Sequence, residues 1–445
     1  MNATAEKDVH VAAFRRFGSE LAGSGPSWLE SLRKDGMARF AALGFPTTRD
    51  EEWRFTSVDP IARTPFRPAK PPAGGIGSAA VDRLVPVLPH EHRLVFVNGS
   101  FVKELSSSRS LPGGARAMSL AAALAEEPDH VRAVLARQAR YEDRAFTALN
   151  TAFIRDGAYV RIPDSVIVPE PIHIVFISMP GAQPEASHPR NVILAGRSSQ
   201  ALVVESYVSA GAGTTFTNAV TEVRCGENAV LDHTKVEREA SGSFHIATTA
   251  ALVERSGNYA SRSFSLGGSI VRNDIDAVLD GEGIECHLDG LYLGKGEKLV
   301  DNHTRIEHAK PHCDSREVYK GILADSARAV FNGKIHVRQD AQKTDAKQQN
   351  KNLLLSGDCV VDTKPELEIF ADDVKCTHGA TVGQLDDVAM FYLRSRGLDV
   401  DSARTILIHA FASDVISRVK VEALRAWIDG AVVEILSGLN KKGAP

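Results

Sequence analysis

The fold is decided by a succession of short extended runs, four of which are ALVVESYV (residues 201–208), AVLDHTKVE (229–237), HIATTAALVE (245–254) and YASRSFSL (259–266). Such runs are rich in β-branched or aromatic residues and are bounded by Gly, Asn, Asp or Ser, as strands usually are. They follow one another for about 220 residues after Tyr159, with almost no helical periodicity. This pattern predicts a region built almost wholly of strands.

A long repeat runs through the same region, because glycines recur in front of the extended runs. They lie roughly 30 residues apart, with one gap of more than double that length: Gly196, Gly226, Gly257, Gly283 and Gly357. A drifting repeat of this length is typical of a solenoid, whose coils stack on one another, and not of a sandwich built from hairpins. Since the hexapeptide repeat of left-handed acyltransferase helices is absent, we predict the right-handed form.

Helical patterns flank the strand-rich region on both sides. The predicted fold is therefore mainly β, with a right-handed parallel β-helix core between N-terminal and C-terminal α-helical regions. We predict three domains. Residues 1–155 form a mostly helical region with a Pro/Gly-rich linker and a short hairpin, residues 156–385 form the β-helix, and residues 386–445 form a helical region.

Turn and breaker residues place three features in the N-terminal region. The linker spans Thr64 to Gly77, where Pro and Gly are dense. The dipeptide Asn98-Gly99 predicts a tight β-hairpin turn. Pro128 predicts that the helical stretch around it is divided into two short helices.

The chain ends in helices. The first begins with Asp386 or Asp387 as its N-cap and ends before Gly397. Two apolar stripes follow at helical spacing: Ile406, Ala410, Phe411, Val415 and Val419, then Leu424, Trp427, Ile428 and Ile435. These helices are expected either to cover the end of the solenoid or to bind a partner.

Composition bounds the class of protein. The chain has 445 residues, of which 43% are hydrophobic and 24% charged, values typical of a soluble globular protein with two or three domains. A net charge of −4 gives no reason to expect nucleic acid, and no apolar run approaches the ~18 residues of a membrane span. The five cysteines are far apart and odd in number, which argues against disulfides. We expect a cytoplasmic protein with reduced thiols.

Common catalytic signatures are missing from the sequence. It contains no G-x-x-x-x-G-K-[ST] loop, no G-x-S-x-G elbow, no C-x-x-C pair and no H-E-x-x-H helix. Gly75-Ile76-Gly77 lies in the linker and not between a strand and a helix, so a dinucleotide site is not expected there.

The strongest chemical lead is Cys376-Thr377-His378. Alternation along a strand places the thiol and the imidazole on one face, with Cα atoms about 6.7 Å apart. Both could bind one metal ion, or the imidazole could stabilise a thiolate. Two ligands fill half of a tetrahedral site, so a partner or substrate would supply the rest. The alternative is a buried structural cysteine beside a histidine.

Two further polar stretches have open interpretations. One runs from Cys286-His287 through His303 and His308 to His312-Cys313, and its thiol and imidazole groups suit iron or zinc, although the spacing is irregular and a packing role is the alternative. The other is the amide-rich stretch from Gln339 to Asn352. Its amides could form ladders between coils or could lie on a solvated face.

Six motifs, taken together, resemble those of one known family: GFPT (44–47), EWRFT (52–56), AQKTDA (341–346), NKNLLLS (350–356), DVKCTHGATVG (373–383) and FYLRSRG (391–397). The family is that of the SufB/SufD iron–sulfur cluster assembly proteins, and the resemblance runs from about residue 150 to about residue 435. The first two motifs resemble the SufD branch of the family and not the SufB branch.

This resemblance implies a non-catalytic scaffold subunit of a SufBCD complex, with the ATPase activity in SufC. It implies pairing with SufB through the end of the β-helix, binding of SufC to the C-terminal helices, and a possible homodimer in isolation. The cargo would be iron or a transient iron–sulfur cluster shared with SufB, none of it permanently bound by this chain alone. In the family the histidine of the K-C-x-H-G motif, here His378, is associated with cluster assembly, and Cys376 lies in the same motif.

Two departures from SufB concern the same site. SufB has an essential cysteine near the positions of Asn352 to Leu354, and this chain has none there. It has Gly379 where SufB has a glutamate. By this comparison the chain cannot form the whole cluster site alone, in agreement with the shortage of ligands.

Two rival hypotheses come from other classes of protein. A β-helix carbohydrate-active enzyme would use carboxylates in a sugar-binding groove. The three tryptophans (Trp28, Trp53 and Trp427) all lie outside the predicted solenoid, and the N-terminus has no signal-peptide pattern. A purely structural solenoid would bind no iron.

Overall fold

The structure is a computed structural model that describes residues 3–20, 25–70, 74–107 and 109–440. The centre of the predicted linker (71–73) and the last residues of the predicted C-terminal domain (441–445) lie outside the described residues. The helices are α1 (Ala3–Glu20), α2 (Ser27–Leu43), α3 (Asp59–Arg63), α4 (Ser78–Leu84), α5 (Leu120–Glu126), α6 (Pro128–Val134), α7 (Ala145–Ala152), α8 (Asp387–Ser395), α9 (Val400–Ile416) and α10 (Glu422–Asn440). Within the described ranges, no helix is both long and apolar enough to cross a membrane.

The strands occupy the middle of the chain and continue almost to its C-terminal helices. In chain order they are β1 (Arg67–Pro68), β2 (His92–Val97), β3 (Ser100–Phe101), β4 (Arg116–Ser119), β5 (Ala158–Ile162), β6 (Ile172–Ser178), β7 (Glu185–Ser187), β8 (Arg190–Ala195), β9 (Gln200–Ser209), β10 (Thr215–Cys225), β11 (Val230–Arg238), β12 (Phe244–Val253), β13 (Asn258–Ser265), β14 (Ile270–Leu279), β15 (Glu285–Gly294), β16 (Leu299–His308), β17 (Asp314–Leu323), β18 (Arg328–Val337), β19 (Asp345–Leu354), β20 (Val360–Ile369) and β21 (Lys375–Gly383).

Parallel pairing between alternate strands builds a solenoid with two sheets. Sheet 1 has the order β4-β5-β8-β10-β12-β14-β16-β18-β20, and sheet 2 has the order β3-β2-β6-β9-β11-β13-β15-β17-β19-β21. Along sheet 2, for example, Tyr319 lies beside Asn350, which belongs to the next coil. The predicted mainly β fold, a parallel β-helix between helical regions, is confirmed. Its right-handed sense and the domain boundaries at 155 and 385 stay predictions.

One face of every solenoid strand points into the space between the two sheets, because side chains alternate along a strand. The inner faces form one continuous apolar core that includes Tyr207, Tyr259, Cys286, Tyr292 and Phe331. These side chains are almost fully buried. The burial of these apolar side chains stabilises the stacked coils, by about 25 cal/mol for each Å² of apolar surface removed from water.

The N-terminal region closes the first coil. β2 and β3 form an antiparallel hairpin in which Phe96 pairs with Phe101. Asn98 and Gly99 have φ angles of 49° and 76°, as a type I′ turn requires, so the predicted hairpin is confirmed. β4 pairs antiparallel with β5 at the same end of sheet 1. The predicted break at Pro128 is also confirmed, since Pro128 begins α6.

A buried carboxylate ties this N-terminal region to the outer face of sheet 1. The Glu222 side chain accepts hydrogen bonds from the backbone N–H groups of Ala136, Arg137 and Gln138, each at 2.7 Å. It also pairs with the guanidinium of Arg190 at 2.7 Å, and both side chains are buried. A buried charge pair this fully hydrogen-bonded is costly to break, because either partner left alone would be an uncompensated charge.

The C-terminal helices pack sideways on the solenoid and leave its end uncovered. α9 and α10 bury apolar residues, among them Ile408 and Ala412, against the outer face of sheet 2, where Phe264 and Leu291 lie. Salt bridges flank this contact: Lys320 Nζ lies 2.8 Å from an Asp414 oxygen, and Arg418 Nη1 lies 2.6 Å from Asp289 Oδ1. Covering of the solenoid end, one of the two expected roles, is therefore not what these helices do.

The predicted stripe on α9 is partly wrong. Ile406 and Ala410 are exposed, whereas Ile408, Ala412 and Val415 are buried. The physical reason is that α9 carries apolar residues on more than one side, so that periodicity alone does not select the buried face.

Candidate functional site

The solenoid stops at an open coil. In the described part of the chain, β20 pairs with β18 alone and β21 with β19 alone, so each sheet ends in a strand with one free edge. Apolar side chains are exposed at this end: Ile369, Phe370 and Val382. A free edge with exposed apolar residues is a template for another chain.

Cys376 and His378 lie on the inner face of this last coil. Cys376 pairs with Ala346, and His378 pairs with Gln348. Ala346 and Gln348 are both buried in the solenoid interior, whereas Cys376 is half-buried and His378 is exposed. The prediction that the thiol and the imidazole share one strand face is confirmed. Their role as metal ligands stays a prediction.

In the free chain, the protonated thiol form of Cys376 is favoured over the thiolate. Burial raises the pKa of this thiol above its usual value, and the carboxylate of Asp345 acts in the same direction. A metal ion bound here would therefore have to displace the proton, because the thiolate is the ligand form. The site is not a preformed thiolate that reacts by itself.

The ligand set at the open end fits half of an iron or zinc site. Imidazole and thiolate suit both metals, and a tetrahedral centre needs two more ligands. Within the described ranges, no group of three or more His, Cys, Asp or Glu side chains is arranged to hold a metal ion. The open coil therefore presents one thiol and one imidazole, two of the four ligands that a tetrahedral centre would need.

The stretch from Cys286 to Cys313 is not brought together by the fold. Cys286 lies in the apolar core, where burial raises the pKa of its thiol. His303 contacts the N-terminal region, where its Nδ1 lies 3.1 Å from a Glu52 oxygen. Its Nε2 lies 3.0 Å from Asp301 Oδ1. His308 is buried and its Nε2 lies 2.9 Å from Ser315 Oγ. These side chains have separate partners, as the packing alternative predicted.

The amide-rich stretch divides between the two interpretations. Gln348, Asn350 and Asn352 are buried on the inner face of β19, and the residues between them are exposed. Asn350 Nδ2 donates to Tyr292 Oη at 3.1 Å, and Tyr292 Oη donates to Asn352 Oδ1 at 2.5 Å. Asn350 and Asn352 thus bind Tyr292 and each other, Gln348 donates to Glu317 of the preceding coil, and the alternate positions form the solvated face.

A polar interior in the middle coils was not predicted. Glu205 Oε1 lies 2.8 Å from His233 Nε2, and Lys235 Nζ donates to Asn273 Oδ1 at 2.6 Å. Burial alone would raise the pKa of Glu205, but hydrogen bonds and charge from His233 lower it to about 2. Alternation in the run AVLDHTKVE could have revealed it, because it places His233 and Lys235 on the same face as the core residue Leu231.

Comparisons with known proteins agree with this architecture. The family model for "SUF system FeS cluster assembly, SufBD core domain" matches residues 176–411, and that for "SufBD protein N-terminal region" matches residues 5–174. An iron-sulfur cluster assembly SufBD family protein of Synechocystis is 33% identical over 413 residues, covering 91% of this chain and 90% of that protein.

Two relatives carry the name iron-sulfur cluster assembly protein SufD. The Escherichia coli protein is 32% identical over 397 residues, covering 89% of this chain and 90% of that protein. The Bacillus subtilis protein is 25% identical over 416 residues, covering 90% and 92%. The chain belongs to the SufBD family of SUF-system iron–sulfur cluster assembly proteins.

Proposed function

We propose that this chain is a non-catalytic scaffold subunit that holds iron or a nascent iron–sulfur cluster at the open end of its solenoid, together with a SufB-type partner. The observation that carries the proposal is the placement of His378 and Cys376 on the inner face of the last coil, where His378 is exposed to solvent. Two ligands at a free sheet edge are an incomplete site, and a second solenoid docked there would complete it.

The partner is proposed to dock by extending both sheets. β20 and β21 each present a free edge, and backbone N–H and C=O groups on such edges pair readily with added strands. The exposed Phe370 and Val382 would be buried by this contact. Iron or cluster bound between the two inner faces would then be shielded from water.

A second surface is proposed for the ATPase SufC. Asp386 caps the N-terminus of α8, since its carboxylate accepts from the N–H of Val388 at 2.8 Å, and no residue of the helix is buried. Val388 and Phe391 are 77% and 73% exposed. Exposed large apolar side chains side by side on one helix are unusual away from interaction sites.

The ligand role is tested by anaerobic co-expression with SufB and SufC, followed by iron and sulfide analysis of the purified complex. The His378→Ala variant is expected to lose most of the bound iron and sulfide. The matched control is His287→Ala, because His287 is half-buried on β15, away from the open coil. Wild-type iron and sulfide in His378→Ala would end the proposal.

The docking role of α8 is tested by the double variant Val388→Asp/Phe391→Asp. Both side chains are exposed, so the fold is expected to stay intact while SufC no longer co-purifies. Ile167→Asp is the control, since Ile167 is exposed but lies at the start of the solenoid. Undiminished SufC binding to the double variant would contradict this surface.

A further inference from the structure

Gln348 lies directly beside His378 on the neighbouring strand of sheet 2. The two residues are Cα partners, so their side chains project from adjacent strands about 4.8 Å apart onto the same inner face. Gln348 is only 1% exposed, whereas His378 is exposed. The amide of Gln348 therefore lies in the interior of the solenoid, one strand before His378.

The orientation of this amide is fixed by a buried acid. Gln348 Nε2 donates to Glu317 Oε2 at 2.7 Å, and Glu317 is buried on the inner face of the preceding strand β17. Because only the nitrogen end of an amide can donate, this bond determines which end is oxygen. A carboxyl oxygen accepts this bond whether the acid is charged or neutral.

Sheet 1 restrains the same amide from the opposite side. A Cβ placed on Gly333 would lie 2.2 Å from Gln348 Nε2 and 2.8 Å from its amide carbon. The amide therefore occupies the space that any other residue at 333 would fill. Gln348 is held by Glu317 on one side and by the backbone of β18 on the other.

The oxygen of this restrained amide has no hydrogen-bond partner. In the described part of the chain, Gln348 Oε1 is buried and accepts nothing. A buried acceptor left unpaired costs about 1–3 kcal/mol. A buried acceptor without a partner therefore indicates a missing donor. This donor belongs either to another molecule or to a neighbouring side chain that adopts a different rotamer.

Asn350, two residues further along β19, behaves differently. It pairs with Ala380, whose side chain carries no donor. Its own amide is fully used, since Nδ2 donates to Tyr292 Oη at 3.1 Å and Oδ1 accepts from Asn352 Nδ2 at 2.6 Å. Thus the buried amide beside a methyl group is satisfied by Tyr292 of an earlier coil and by Asn352 of its own strand, and the amide beside the imidazole has its acceptor free.

We infer that Gln348, oriented by Glu317, is a positioning residue for His378. When the exposed His378 ring turns towards the interior, Gln348 Oε1 accepts a hydrogen bond from one ring N–H, which leaves the other ring nitrogen unprotonated and able to bind iron. Outer hydrogen bonds of this kind fix the tautomer and the ring orientation of metal-binding histidines, and their loss typically lowers metal affinity 10- to 100-fold. The inference rests on the proposed function for its purpose, but the hydrogen bond itself can be tested without metal.

The first experiment uses the metal-free full chain with ¹⁵N-labelled histidine rings. In the wild type, His378 is expected to show one dominant tautomer with a protected N–H. Gln348→Met removes the acceptor at similar volume, and Glu317→Met removes the group that orients it. Both variants are expected to give the mixed tautomers of a free imidazole. Glu317→Gln keeps an acceptor for Gln348 Nε2 and is expected to retain the wild-type spectrum.

The matched control is Asn350→Leu, which removes a buried amide of the same strand and face and should leave the His378 spectrum unchanged. Thermal unfolding identifies variants that fail to fold. If Gln348→Met does not fold, the comparison of Glu317→Met with Glu317→Gln tests the role of the oriented amide instead. An unchanged His378 spectrum in folded Gln348→Met or Glu317→Met overturns the inference.

The second experiment separates this inference from the proposed function. Iron and sulfide are measured in complexes purified with SufB and SufC, and Gln348→Met is expected to weaken iron retention against a chelator about 10-fold or more. If His378→Ala loses iron but Gln348→Met keeps it with an unchanged tautomer, the inference fails and the proposed function stands. If His378→Ala retains iron, the proposed function fails, and the tautomer spectra still decide the hydrogen bond.

Discussion

Two histidines on one row of sheet 2 show how differently a covered coil and the open coil of the solenoid treat the same position. Successive strand pairings connect His233 through Ser261, Leu288, Glu317 and Gln348 to His378. His233 lies in the middle coils and is buried against Glu205 and the hydroxyl of Tyr259. His378 occupies the final strand and is exposed.

The difference teaches that position along the solenoid decides what an inner-face side chain can do. In the closed coils, a polar side chain finds partners from the neighbouring coils and becomes part of the structure. The last coil has a neighbouring coil on one side only. A side chain of the same kind there keeps polar atoms that can bind a partner. Four changes would break or sharpen this comparison.

Removing the carboxylate that ties the N-terminal region to the solenoid should have the largest effect. Glu222→Ala leaves Arg190 as a buried, unpaired charge, and we expect the free energy of unfolding to fall by about 3–5 kcal/mol. Urea unfolding monitored by circular dichroism measures this loss. A loss below about 1 kcal/mol would mean that the closed end does not depend on this carboxylate.

Buried acids should make the stability of the solenoid depend on pH. Burial raises the pKa of Glu239, in the middle coils, and of Glu317, nearer the open end, to about 7. A folded-state pKa above the unfolded value contributes stability that is complete at low pH and is lost as the pH rises through 7. Each acid should therefore cost roughly 2–3 kcal/mol between pH 5 and pH 8.

The test is urea unfolding at both pH values for Glu239→Gln and Glu317→Gln. Each substitution should flatten the decline by a similar amount, because both acids lie in covered coils. A much smaller effect of Glu317→Gln on the pH dependence would contradict the burial of Glu317. It would mean that water from the open end reaches this side chain.

A charge at the open edge should weaken partner binding without unfolding the chain. Val382 is 47% exposed, so Val382→Asp is expected to change the free energy of unfolding by less than about 0.5 kcal/mol. Affinity for SufB should fall roughly 30-fold, the effect of losing an anchor worth about 2 kcal/mol. Val87→Asp, at a 59% exposed valine in the N-terminal region, should bind SufB like the wild type.

The smallest expected effect is that of Cys376→Ser on stability. Since Cys376 is half-buried at a free edge, the free energy of unfolding should change by about 0.5 kcal/mol or less. Cys286→Ser places a hydroxyl without a partner in the apolar core and should cost about 1–3 kcal/mol. Equal losses in the two variants would contradict the assignment of these thiols to different environments.

Features that depend on local chain geometry were predicted from the sequence. The shared face of Cys376 and His378 follows from the two-residue period of a strand, and the hairpin at Asn98-Gly99 follows from φ angles that Asn and Gly tolerate. Pro128 likewise separates α5 from α6, because proline is accepted in the first turn of a helix but not in its interior. In these cases neighbouring residues contain all the relevant physics.

Features that depend on distant contacts were not predicted. The exposure of His378 depends on α9 and α10 folding sideways onto sheet 2, and the apolar pattern of α9 does not say which face it buries. The bonds from Glu222 to the segment at 136–138 join residues more than 80 positions apart. No local sequence pattern distinguishes Glu222 from a glutamate on the surface. The sequence alone therefore does not identify its hydrogen-bond partners.

The short strands that finish the first coil have a consequence for stoichiometry. β3 and β4 end the two sheets on that side, and each is brief and antiparallel to its neighbour. In the language of polymerisation, the solenoid is a monofunctional unit: it has one end that can propagate the sheets and one that terminates them. When two such units join end to end, the reactive edges are consumed and growth stops at a pair, so the stacking that builds the coils cannot run on into a fibre.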